Sequence, residues 1–191
     1  MIYYFDTAKK SAVMDFAKTL RNLIREKKCN TSGISEVVLI CIGSDRATGD
    51  CLGPMVGHRM SKHQKQFSVY GTLEKPVHAK NLSSALDFIH AYHKGALIIA
   101  IDASLGRADH IGYITLGEGS LSPGVGVDKD LPDVGDLFIT GIVNLAAFKG
   151  TGHLLLQTTR LNTVMQLTDF ICMGLNLCFT VKSSPLTPAV K

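Results

Sequence analysis

The sequence predicts an α/β fold, a three-layer α/β/α sandwich around a mostly parallel sheet. Two runs, EVVLICIG (Glu36–Gly43) and GALIIAID (Gly95–Asp102), are apolar on both faces, as strands covered by helices on either side of a parallel sheet are. Segments with apolar residues at helical spacing separate such runs, and alternating strand and helix builds a doubly wound sheet. A chain of 191 residues, 46% hydrophobic and 19% charged, suits a single domain over residues 1–191 with a substantial core.

The elements follow in order. Within residues 1–30, Val13, Phe16, Ala17, Leu20, Leu23 and Ile24 mark an amphipathic helix over Thr7–Lys28, with Asp6 or Thr7 as N-cap. A loop over Cys29–Ser35 leads to the first core strand. After IGSDRATGDCLGP (Ile42–Pro54), a helix is expected from Leu52 to about Gln64, with Pro54 tolerated in its first turn because no N–H is needed there. FSVYGTL reads as a second strand, and Leu82, Ala85, Leu86, Ile89 and Tyr92 as another amphipathic helix. GALIIAID repeats the first core strand, ending on an acid. His110–Glu118 and Asp136–Asn144 read as further strands. The segment between them, rich in Gly, Pro and Asp, reads as a functional loop. A stripe from Leu161 to Phe179 predicts a long C-terminal helix, with residues 183–191 a loose tail.

Composition narrows the function. The net charge is +4, and its basic excess gathers in Lys9, Lys10, Lys18, Arg21, Arg25, Lys27 and Lys28 without interleaved aromatic residues, a solvated helix face rather than a nucleic-acid groove. No run approaches the roughly 20 apolar residues of a membrane helix, and the N-terminus lacks a signal-peptide core, so no membrane partner is expected. Cys29, Cys41, Cys51, Cys172 and Cys178 have no Cys-x-x-Cys spacing, which suits a reducing cytoplasm better than a disulfide framework or a zinc ribbon.

In open α/β sheets, ligands bind beyond the carboxyl ends of the strands. Asp45, Asp50 and Asp102 all fall there. One acid after a strand commonly caps the next helix, as Asp50 could before Leu52. Two core strands that both end in acids favour chemistry. Carboxylates about 4 Å apart repel by about 4 kcal/mol at an effective dielectric of 20. One can then stay protonated as an acid while the other acts as base on water. Alternatively, a divalent cation binds Asp50 and Asp102 and activates water itself. Other candidates are weaker. The glycines near Gly43 and Gly49 do not make a P-loop, and Ser104 lies outside a G-x-S-x-G elbow. Cys51 would be a thiolate near a helix N-terminus, but no His is locally tied to it. All seven histidines read as surface or packing residues.

IGSDRATGDCLGP, AIDASLGR and SPGVGV together resemble the germination protease of spores and the hydrogenase maturation endopeptidases. The chain as a whole resembles the YyaC-type sporulation proteins. The resemblance covers Glu36 to Asn144. It implies a hydrogenase-maturation-protease-like (phosphorylase/hydrolase-like) fold and an aspartate-dependent peptidase of sporulating cells or developing spores, acting on a protein or peptide substrate. Asp50 and Asp102 match the germination protease's catalytic pair. Gly124 and Gly126 match its glycine-rich loop, and Asp45 and Arg46 would shape the substrate cleft beside them. Maturation endopeptidases carry a metal-binding His after the last strands, and FITGIVNLAAF has none, so a metal-free pair is expected over a bound cofactor. A catalytically silent spore protein binding a partner through the same groove, a metal-dependent amide hydrolase, and assembly as a homo-oligomer stay open.

Overall fold

A computed structural model describes residues 1–63, 66–124, 131–146 and 151–180. Six strands form one sheet: β1 (Ile2–Asp6), β2 (Val37–Cys41), β3 (Ser68–Tyr70), β4 (Leu97–Gly106), β5 (Tyr113–Glu118) and β6 (Leu137–Leu145), in the order β1-β5-β6-β4-β2-β3. β3, β2, β4 and β6 pair in parallel, and β5 runs antiparallel to both β6 and β1. The sheet is therefore mostly parallel with one reversed strand.

Among the described residues five helices accompany it: α1 (Ala12–Asn30), α2 (Leu52–Met60), α3 (Leu82–Tyr92), α4 (Gly152–Gln157) and α5 (Leu161–Thr180). Alternation along the central strands sends side chains to two cores. Leu39, Cys41, Ile99 and Ile101 meet α1, α2 and α5 on one face. Val38, Ile40, Ile98 and Ala100 meet α3 and the segment around Leu121 and Val134 on the other. Every residue of β2 is buried, which explains why its sequence shows no polar face. The expected three layers are thus present.

Local differences have identifiable causes. MIYYFD was expected to lead straight into a helix, yet Ile2–Asp6 pairs with β5 as an edge strand, and only Phe5 is buried. Asp6 and Thr7 hold the following turn instead of capping α1: Asp6 Oδ1 accepts the Ala8 N–H (3.0 Å), and Thr7 Oγ1 donates to the Gly112 carbonyl (2.6 Å). The helix consequently starts at Ala12 and runs to Asn30, beyond the expected loop boundary at Cys29. α2 ends at Met60 with a 3₁₀ turn after it, Ser61–His63. α4 was not anticipated. It is tied to the end of β6 by Asn144 Nδ2, which donates to the Leu155 carbonyl at 2.9 Å and to Thr159 Oγ1 at 3.2 Å. The expected loose tail lies outside the described residues. No helix among the described residues is long and apolar enough to cross a membrane.

Candidate active site

The chain leaves β2 through a tightly specified turn. The Ile42 N–H donates to the Ile101 carbonyl at 2.7 Å, and the Gly43 N–H to the Val77 carbonyl at 2.8 Å. Gly43 has φ +135°, and a Cβ there would lie 2.0 Å from the Asp50 carbonyl oxygen, so only glycine fits. The loop then closes on itself: Ser44 N–H donates to the Asp50 carbonyl (3.1 Å), Asp50 N–H to the Ala47 carbonyl (3.0 Å) and Arg46 N–H to Ser44 Oγ (3.2 Å). Asp50 sits in a 3₁₀ turn, Gly49–Cys51, that runs directly into α2. Leu156 and Thr159 back this turn, because a Cβ on Gly49 would meet both within 3.0 Å. α4 thereby braces the acidic loop from behind.

Asp102 is delivered by a difference in strand length. The β2–β4 ladder ends at Cys41↔Ile101, whereas β4 continues to Gly106 paired with β6, and Asp102 faces Thr140 in register. The expectation that Asp102 closes its strand is therefore corrected: it is the first β4 residue beyond the cover of β2. The gap left by β2 becomes the cleft. Asp102 is 9% exposed, and its Oδ1 accepts the Ala103 N–H at 2.7 Å. Among the described residues no buried side-chain oxygen lacks a partner, so Oδ2, which has none, faces the cleft.

That cleft has a volume of about 260 Å³ and brings together Arg46, Asp50, His78, Lys80, Asp102 and Gly124. Asp50, Asp102, Arg46 and Gly124 thus line one cleft. Asp45 is exposed in the same loop and is not among the lining residues. Gly126 lies outside the described residues. His78 and Lys80 were missed, since VHAKN carries no motif and His78 read as a surface or packing residue. Neither spacing nor periodicity marks a loop that reaches the site from β3.

Burial pushes the Asp102 carboxyl well above its ordinary range, and the negative charge of Asp50 pushes in the same direction. The Ala103 N–H opposes both. Asp102 is buried, whereas Asp50 is half-buried, so the two acids of the cleft differ in their exposure to water. Cys51 is not an activated thiol. Its Sγ donates to the Thr48 carbonyl at 2.9 Å, and burial, with the charges of Asp50 and Asp45, raises its pKa. Iodoacetamide at pH 8 should therefore modify exposed Cys29 well before Cys51, and before Cys172 and Cys178, whose pKa values burial pushes up to about 11. Peptide mass mapping over a time course reads this order; Cys51 labelled first would restore the thiolate.

A divalent cation needs deprotonated ligands, usually three or more from the protein at a tight site. Among the described residues no group of three His, Cys, Asp or Glu could hold a metal ion. The described residues therefore do not supply the three-ligand set of a tight metal site.

Comparison with known proteins places the chain. Residues 4–174 match the family described as Protein of unknown function (DUF1256). The chain belongs to that family. A relative from Bacillus subtilis (strain 168), the uncharacterized protein YyaC, is 45% identical over 162 residues, covering 84% of this chain and 78% of its own length, which bears out the YyaC-type resemblance. Among solved structures, a NiFe hydrogenase maturation protease, HycI, from Thermococcus kodakarensis KOD1 matches with a TM-score of 0.49 and 17% identity, over 83% of this chain and 99% of that one. In this DUF1256 member the family match spans both acids and every strand but the first residues of β1.

Proposed function

We propose that this protein is an aspartate-dependent peptidase that hydrolyses a protein substrate, with Asp102 as general acid and Asp50 as general base. The observation that carries the reading is the asymmetry of the pair: one cleft holds a buried acid, Asp102, whose carboxyl burial and the charge of Asp50 push toward the protonated form, and a half-buried acid, Asp50. Two carboxyl groups separated in this way supply a proton donor and a proton acceptor at the same pH.

In the proposed reaction Asp50 takes a proton from a water in the cleft as the water oxygen bonds to the substrate carbonyl carbon. Asp102 Oδ2, open to the cleft, then gives its proton to the leaving nitrogen as the C–N bond breaks. Transfer of the proton from Asp50 back to Asp102 restores the starting state. Gly124, at φ +79°, lets a substrate backbone approach closely, and Arg46 at the rim is placed to hold a substrate carboxylate. The setting in sporulating cells is part of this proposal and rests on the motif resemblance to the germination protease.

The test is digestion of a proteome-derived peptide library, with new termini read by mass spectrometry, in the presence and absence of EDTA. Cleavage that is unchanged by EDTA is expected. Cleavage that disappears with EDTA and returns with an added divalent metal would replace the acid pair by a metallohydrolase. No cleavage under either condition would leave a partner-binding module.

A further inference from the structure

We infer that His78 is a third catalytic group of this site, its Nε2–H binding the carbonyl oxygen of the bond that is cleaved. This rests on the hydrolytic reading above and extends it to a residue that neither the acid pair nor the sequence motifs include.

Position is the first argument. His78 lines the acid cleft and also a second cavity, of about 600 Å³, whose walls include Ser61, Tyr70, Gly71 and Pro76. An extended polypeptide advances about 3.3 Å per residue, so a bed of several residues outruns the acid cleft alone. A chain lying through both cavities passes His78 as it reaches Asp50 and Asp102.

Orientation is the second. The head of α3 clamps the residue: the His78 N–H donates to Asn81 Oδ1 (2.8 Å), its carbonyl accepts the N–H groups of Asn81 (3.0 Å) and Leu82 (2.9 Å), and Asn81 Nδ2 donates to the Pro76 carbonyl (3.0 Å). The ring is held as well, because Nδ1 accepts the Lys80 N–H at 3.2 Å. A nitrogen that accepts carries no proton, so the imidazole proton resides on Nε2. Nε2 has no partner among the described residues, and no buried side-chain nitrogen there is left without one, so it is open to solvent at a residue that lines both cavities.

Chemistry is the third. When water adds, the carbonyl π pair moves onto oxygen, and that developing charge needs a fixed donor. Asp102 cannot serve, since its proton goes to the leaving nitrogen. Arg46 and Lys80 are long, flexible side chains, whereas the His78 ring is fixed by its own turn. On collapse the oxygen electron pair re-forms C=O, the nitrogen departs with the Asp102 proton, and His78 keeps its own.

The experiment uses the full chain and whichever library peptide the wild type cuts fastest. His78→Asn keeps an oxygen that accepts the Lys80 N–H, as in an Asx turn, but removes the donor at the Nε2 position. His78→Gln returns an amide N–H near that position. The expected result is that His78→Asn retains the wild-type melting temperature and KM within about threefold while kcat falls about 10²–10³-fold, with at least a tenfold recovery in His78→Gln. A kcat within threefold of wild type in both variants, or a loss confined to KM, would overturn the role. Should the wild type cut no peptide, the hydrolytic reading itself fails, a result distinct from an active wild type that is indifferent to His78.

Discussion

Asp102→Asn is expected to cut hydrolysis by orders of magnitude while making the folded protein more stable at neutral pH. The asparagine Oδ1 can accept the Ala103 N–H that Asp102 accepts at 2.7 Å, and the side chains have nearly the same shape, so packing is kept. In the proposed reaction, what disappears is the proton that the leaving nitrogen needs, a loss of about 10²–10⁴-fold in kcat. The stability gain follows from linkage. Asp102 in the folded protein titrates well above its unfolded value of 3.8, pushed there by burial and by the charge of Asp50. The folded state therefore binds this proton more tightly than the unfolded state, and stability declines as pH rises from about 3.8 through the raised pKa. Asparagine does not titrate and escapes that decline. Thermal melts at pH 3 and pH 7 should show the variant close to wild type at the lower pH and ahead of it at the higher, by about 1 kcal/mol or 2–4 °C. A variant less stable than wild type at pH 7 would show that Asp102 is held as a paired anion, and the acid role would fall. Asp50→Asn should lose activity too, and should also lower the Asp102 pKa, because the charge opposing its ionisation is gone.

A large structural effect is expected at Gly53→Ala. Gly53 lies in the first turn of α2, and a Cβ there would stand 2.0 Å from the Ile42 carbonyl oxygen and 2.8 Å from the Ile42 nitrogen. Both are backbone atoms fixed by the sheet, since the Ile42 N–H is bonded to the Ile101 carbonyl. No side-chain rotation relieves the clash, so α2 must lift or the end of β2 must move. About 3 kcal/mol of destabilisation is expected, roughly 6–12 °C in melting temperature, as for the severe end of overpacking. Because Ile42 leads into Gly43 and the Asp50 turn, the surviving folded fraction should also be catalytically impaired. A melt within 2 °C of wild type would mean that α2 rides further from the sheet than the close approach of Gly53 requires.

What could be read in the chain, and what could not, follows from the range of the forces involved. Local periodicity is a short-range signal. The runs Val37–Cys41 and Leu97–Ile101 are apolar on both faces because both faces are covered, and the helical stripes of α1, α3 and α5 repeat because one side of each meets the sheet. The two acids were legible for a related reason: they follow core strands, where a parallel sheet offers its crevice. β1 was missed because a half-exposed edge strand has only Phe5 to bury. α4 was missed because six residues with one buried position make no stripe.

By itself, then, the sequence determined the layered α/β/α architecture, its central strands and the two acids that follow those strands, all consequences of which residues must leave water and of backbone preferences within a few positions. Tertiary structure alone decided that β4 outruns β2 and so buries Asp102 beside an open gap. It also decided that the turn before α3 swings His78 and Lys80 into the cleft while Asp45 stays outside its lining. The physical reason is that burial, charge coupling and convergence depend on strand register and on loops meeting across the sheet, and these contacts join residues tens of positions apart that no local pattern connects.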